Sequence, residues 1–208
     1  MIRSVNRLSC IVMLASVAWL GCKPGNQPKT IEVHDPATQK LTETFEELNG
    51  VKHGVRKLYD TSGKIIAIEH YRQGLFDGPY ESYFPGGQAK EKGNYQNDQM
   101  TGTWTYYYQN GQLREELNFK NGAENGPAKE FYENGKLSAT GEYKDGMENG
   151  LWKFFFPNGT LQQESNLKSG NKEGLQTFYD SATGKVIKQE EYINGRPARY
   201  EQKNNPQN

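Results

Sequence analysis

The sequence predicts an all-β protein: an elongated, single-layer antiparallel meander of six 24-residue β-hairpin repeats. Three observations carry that expectation. Gly54, Gly78, Gly102, Gly126, Gly150 and Gly174 recur every 24 residues without a slip. A second series follows nine residues later at Gly63, Gly87, Gly111, Gly135 and Gly159, with Gly184 one residue late. A third follows twenty residues after the first, at Gly74, Asp98, Gly122, Gly146 and Gly170, with Gly195 one late. Between the first two series lie runs rich in aromatic residues, namely Tyr80 to Phe84, Trp104 to Tyr108, Lys129 to Tyr132 and Trp152 to Phe156. Such runs, bounded by turn residues, read as strands. Composition agrees, because 13 Tyr, 9 Phe, 3 Trp and 23 Gly favour short strands and turns over helices.

Taken in order, residues 1–21 have the layout of a bacterial export signal: Arg3 and Arg7, then an apolar stretch from Leu8 to Leu20. Thirteen helical residues reach about 20 Å, short of the roughly 30 Å hydrocarbon core, which disfavours a membrane span. Cys22 stands where the apolar stretch gives way to Lys23-Pro24-Gly25-Asn26, the position of the acylated cysteine in a lipoprotein signal. The resemblance is to a lipobox, matched well only at Gly21 and Cys22. Cleavage after Ser16-Val17-Ala18 is the open alternative and releases a soluble chain. Cys10 lies inside the signal, so Cys22 is the sole cysteine of the exported chain and no internal disulfide can form. A lone thiol in an oxidising compartment is a liability unless acylation uses it. Without Arg3 and Arg7 the 25 basic residues become 23 against 25 acidic ones, a net charge of about −2. That balance gives no electrostatic footprint for nucleic acid or anionic lipid.

Residues 22–44, with Pro24, Pro28 and Pro36 among polar residues, are expected to be a polar tether from the lipid anchor. The array follows at 45–198, with a disordered tail at 199–208. Leu41 to Leu48 fits either a short helix or an extra edge strand. Within each repeat the three glycine series are expected to mark turns. Asn110-Gly111, Asn134-Gly135 and Asn158-Gly159 are the dipeptides best able to take positive φ at both central positions of a tight hairpin. A single hairpin is marginal in water, so neighbouring repeats must supply the burial. Two residues after the first glycine stand Tyr80, Trp104, Ala128 and Trp152 inside the array, but Arg56 and Gln176 at its ends. Polar residues there fit solvated capping repeats.

The segment from Gly102 to Leu113, Gly-Thr-Trp-Thr-Tyr-Tyr-Tyr-Gln-Asn-Gly-Gln-Leu, resembles the MORN repeat (membrane occupation and recognition nexus) in its bacterial variant form, and Gly150 to Gly159 is similar. The resemblance runs from residue 50 to about 196. It implies a repeat module that contacts proteins or lipids, and the YwqK-type antitoxin label carried by such bacterial chains implies partner binding.

No constellation for catalysis stands out. His34, His53 and His70 lack a metal-ligand spacing, and no GxSxG, P-loop or Rossmann fingerprint occurs. Neither a cofactor nor a metal is expected. Glu91, Glu115, Glu116, Glu142 and Glu164 fall at similar phases, where they can pair with Lys90, Lys92 or Arg114 across the ladder. The aromatic residues are the candidate binding set: Tyr80, Phe84, Trp104, Tyr106, Tyr108, Trp152, Phe154 and Phe156. Alternation puts Trp104, Tyr106 and Tyr108 on one face and Tyr107 on the other. Either these rings form the sheet's own thin core, or their surplus surface receives an envelope protein or glycan. The expected function is a non-catalytic envelope lipoprotein acting as a protein-binding or scaffold module with no nucleic-acid partner, with an antitoxin-like inhibitor or accessory subunit of an enzyme as the alternative.

Overall fold

The computed structural model describes residues 3–5 and 27–198. The expected anchor Cys22 and nearly all of the expected export signal lie outside the described residues, as does the expected tail. The described residues fall into two compact units, divided so that those up to 87 together with 95–98 form the first and 88–94 together with those from 99 onward form the second.

The first unit is an antiparallel sheet built in sequence order from β1 (Arg3–Val5), β2 (Lys29–His34), β3 (Leu41–Leu48), β4 (Val51–Tyr59), β5 (Ile65–Arg72), β6 (Leu75–Phe76) and β7 (Gly78–Tyr83). One expectation is corrected here and one open alternative decided. The polar tether gives way by Lys29 to a strand, β2, and the undecided segment Leu41–Leu48 is a strand, β3. Together they make a further hairpin ahead of the six repeats. Its loop repeats the loop of the last one: Asp35 N donates to Lys40 O and Gln39 N to Asp35 O, as Asp180 N donates to Lys185 O and Gly184 N to Asp180 O. Gln39, at φ 58°, takes the left-handed conformation that Gly184 takes at φ 66°. The missing glycine hid this unit from the periodicity, although Asn49-Gly50 lies one period before Gln73-Gly74.

The second unit takes the first six residues of β8 (Ala89–Gln96) and continues through β9 (Gln99–Tyr107), β10 (Leu113–Lys120), β11 (Ala123–Glu124), β12 (Gly126–Phe131), β13 (Leu137–Lys144), β14 (Met147–Phe155), β15 (Leu161–Lys168), β16 (Asn171–Tyr179), β17 (Val186–Ile193) and β18 (Arg196–Pro197). From β9 onward each pairs antiparallel with the next, except that β11 and β12 both pair with β10. The 24-residue hairpin meander predicted from the sequence is thus the fold.

The three glycine series have three different tasks, and only two of them turn the chain. The first series sits at bulges, inside a strand at Gly54, Gly102, Gly150 and Gly174 and at the first residue after a strand break at Gly78 and Gly126. Between Thr140↔Lys153 and Glu142↔Asn149, residues 150–152 of β14 face Gly141 alone, and the bulged Gly150 has φ 78°. An extra residue in one strand needs this left-handed geometry, which glycine supplies without strain. The second series closes the hairpins, but not in the geometry expected of Asn-Gly. Asn110 is not among the residues with positive φ; only Gly111 is, at 86°. Gly111 N donates to Tyr108 O at 2.9 Å and Tyr108 N to Gln112 O at 2.8 Å, a type I turn closed by a left-handed glycine. Doubly positive φ occurs at the third series instead, at Asn121 (52°) with Gly122 (80°) and Asp145 (51°) with Gly146 (79°).

Candidate functional site

Alternation along these strands gives the second unit one apolar and one polar face. Residues directly opposite on paired strands share a face. The register runs Trp104↔Leu117, Ala128↔Gly141 and Trp152↔Ser165, so one apolar row crosses the sheet. The row beside it, Glu116↔Lys129, Thr140↔Lys153 and Glu164↔Thr177, is polar and faces the other way.

Trp104 is 1% exposed and Trp152 is 0% exposed. Each indole lies on a glycine of the preceding strand, where a Cβ on Gly93 or Gly141 would stand 2.1 or 2.2 Å from the ring. Each Nε1 donates to the carbonyl of the next residue, Asn94 or Glu142, at 3.2 Å. The buried indole N–H is thereby satisfied by a backbone carbonyl as the ring covers the glycine. The same seat recurs one repeat after each tryptophan with other contents: Leu117 with Ala128 after Trp104, and Ser165 with Gln176 after Trp152, where Gln176 Nε2 donates to Asn166 O at 3.3 Å. Large meets small each time, and the seat stays full.

This overturns two expectations. Trp104 and Trp152 are core and present no contact surface. Gln176 is not a solvated cap residue but fully buried, standing in for a tryptophan by keeping its donor. Arg56, in the first unit, is likewise drawn inward. Its Nη1 lies 2.8 Å from Glu69 Oε2 and its Nε 2.8 Å from Glu43 Oε1, while Tyr71 donates to Glu69 Oε2 at 3.0 Å. Glu69 is 6% exposed. The Arg56 hydrogen bond holds the Glu43 carboxyl below its usual range. Burial first, then the charge of Glu69, pushes the Tyr71 hydroxyl up to about 12.

The other candidate aromatics are half-buried. Tyr106 stacks at 6.2 Å on Trp104, and Phe154 at 6.1 Å on Trp152. Phe119 and Tyr143 meet the same indoles edge-on at 6.2 and 5.3 Å. These four close over the buried tryptophans and form the accessible part of the apolar face. Phe119 and Tyr143 were not singled out from the sequence, though both stand at the aromatic position late in the second strand of their repeats. In the first unit Tyr80 meets Tyr95 edge-on at 5.6 Å, and Phe84 O closes a turn by accepting from Gly87 N. Tyr108 and Phe156 sit at turns: Tyr108 Oη donates to Phe131 O at 2.7 Å, and Phe156 N to Thr160 O at 2.8 Å. The eight candidates therefore do not form one surface. Of the three histidines, His70 pairs its Nδ1 with Pro79 O at 2.7 Å, a structural contact at a bulge.

A sheet meander of repeating hairpins, each with a bulge glycine and a filled seat beside it, defines a β-repeat protein. The MORN repeat variant family model matches residues 52–73, 76–97, 100–121, 124–145 and 148–169, over half of the chain. The chain belongs to that family. The sixth repeat, Asn171–Ile193, lies beyond the matched residues but has the same hairpin, β16 with β17. No curated protein matches the chain.

Proposed function

We propose that this chain is a non-catalytic lipoprotein of the bacterial cell envelope, anchored through Cys22, that holds a protein partner on the apolar face of its second unit. The observation that carries the reading is the ring of half-buried Tyr106, Phe119, Tyr143 and Phe154 over fully buried tryptophans. Rigid rings already fixed by packing lose little entropy on binding and are the side chains that dominate contact energy. MORN repeats are generally associated with protein or membrane binding, which is compatible with such a scaffold. Capture from envelope extracts by the full-length chain tests the face. Tyr106→Ala with Phe154→Ala is expected to abolish capture of a partner that wild type retains, at temperatures well below the variant's melting point. Retention of that partner at full strength moves the binding surface elsewhere. Mass spectrometry of the mature N-terminus tests the anchor separately: an acylated Cys22 is expected, and an unmodified chain beginning at Trp19 overturns it.

A further inference from the structure

On the polar face of the second unit, glutamates meet lysines across the ladder. Glu116 Oε1 lies 3.0 Å from Lys129 Nζ, and Glu164 Oε1 lies 3.0 Å from Lys153 Nζ. The apolar face of the same strands does the reverse. Glu115 stands directly opposite Glu130, Glu124 opposite Phe119 and Glu148 opposite Tyr143, so all four carboxylates share the face of the half-buried rings. Like charges directly across a ladder destabilise it, and partial burial adds to the cost. Among the described residues, no cation lies within ion-pair distance of Glu124, Glu130 or Glu148. Burial, with the charges of Glu115 and Glu148 adding to it, holds the carboxyls of Glu124 and Glu130 above their usual range.

The fourth carboxylate shows what relieves this arrangement. Arg114 brings its Nε to 3.2 Å from Glu115 Oε1, an ion pair without hydrogen-bond geometry, and lays its guanidinium over the Tyr106 ring, 5.6 Å from the centroid. One cation thus takes a ring face and a carboxylate together, the two attractions this surface offers. Tyr143, opposite Glu148 and close to Glu124 and Glu130, repeats the combination of ring and carboxylates, and its hydroxyl is pushed up to about 12 by burial and by these charges.

We infer that this face, taken as the binding face proposed above, receives an extended, Lys- or Arg-bearing segment of a partner protein, with its cations seated among Tyr143, Glu124, Glu130 and Glu148. Charge complementarity selects this occupant: an acidic or neutral segment leaves the facing carboxylates unrelieved, whereas a basic one removes their repulsion on binding.

Fluorescence anisotropy on the full-length chain tests the inference, with a labelled extended peptide alternating arginine and leucine and a counterpart carrying glutamine for arginine. The arginine peptide is expected to bind at least about tenfold tighter than the glutamine peptide. Glu130→Gln with Glu148→Gln is expected to weaken the arginine peptide about tenfold and leave the glutamine peptide unchanged. Glu116→Gln with Glu142→Gln removes the same charge from the polar face and is expected to change either affinity less than about twofold. Equal losses in the two double variants indicate general charge attraction and overturn the inference, as does equal or absent binding of the two peptides. The aromatic reading has its own readout: it fails if Tyr106→Ala with Phe154→Ala leaves both affinities intact. Melting temperatures of all variants establish that each is folded.

Discussion

At the scale of single residues, the unit of stability is the seat shared by one residue after a bulge and its neighbour on the preceding strand. Its contents are Gly93 with Trp104, Leu117 with Ala128, Gly141 with Trp152, and Ser165 with Gln176. These pairs conserve fill while exchanging which side is large, so their energies must be coupled. Trp152→Ala alone is expected to cost about 3–5 kcal/mol by opening a cavity. Gly141→Leu alone drives a side chain into the indole, where even a Cβ stands 2.2 Å away. The two together recreate the natural Leu117 and Ala128 pair. The expected result in chemical denaturation is a double variant more stable than either single one, with a coupling of at least about 1 kcal/mol. Additive losses would mean that the seats pack independently of their partners. The charged seat of the first unit behaves differently. Arg56→Met strands Glu43 and Glu69 in a half-closed site, at a cost of about 2–3 kcal/mol near neutral pH. Because Glu43 has a lowered folded pKa, its contribution is present above the unfolded value and is lost as pH falls through the folded one. The gap between Arg56→Met and wild type is therefore expected to narrow in acid.

At the scale of the element, one hairpin is tied to the next at both ends of its strands. At one end, Asn110 Nδ2 donates to Glu133 O, Asn134 Nδ2 to Pro157 O and Asn158 Nδ2 to Ser181 O, each at 3.1 Å, while each Oδ1 accepts from the backbone two residues on. At the other end, Gly122 N donates to Met100 O, Gly146 N to Glu124 O and Gly170 N to Glu148 O. The asparagine of Asn-Gly is thus selected less for its own φ than for a side chain that caps its loop and reaches the next one. Asn134→Asp keeps the acceptor and loses the donor, with an expected cost of about 0.5–1 kcal/mol. These ties repeat with the 24-residue phase. Deleting Gly102 to Asn125 joins like to like, whereas removing half of that segment puts bulge against turn and core face against polar face. Circular dichroism melts are expected to leave the whole-repeat deletion clearly the more stable, and equal melting temperatures would contradict the hairpin as the unit.

At the scale of the whole molecule, one carboxylate cluster in each unit responds to its surroundings in the opposite sense. Glu43 is held below its usual pKa by Arg56, whereas Glu130 is held above it by burial and by neighbouring carboxylates. A carboxyl with a raised folded pKa contributes stability that is present below the unfolded value and lost as pH rises through the folded one. Acid should accordingly weaken the region of β3 to β5 while relieving that of β12 to β14. Native-state hydrogen exchange, corrected for intrinsic rates, is expected to show protection in β3 to β5 falling relative to β12 to β14 between about pH 6 and pH 4. Glu130→Gln is expected to raise stability at neutral pH and to flatten the response of the second unit. A parallel response in both units would show that these carboxylates do not govern it.

The 24-residue spacing of glycines determined the hairpin, its length, its antiparallel meander and its family likeness, because turns and bulges need left-handed backbone that few residues supply. It could not separate a turn glycine from a bulge glycine, since both take positive φ: Gly150 lies inside a strand and Gly146 beyond its end, and local sequence marks both alike. It passed over the hairpin of β2 and β3, where Gln39 does a glycine's work. Alternation also placed Trp104 and Trp152 on the correct face, but burial depends on what lies across the ladder. Only the register, by setting Gly93 and Gly141 beneath the indoles, made them core and left the neighbouring rings half-buried above them. The four glutamates on that face are scattered from residue 115 to residue 148 in the sequence, and cross-strand pairing alone brings their charges together.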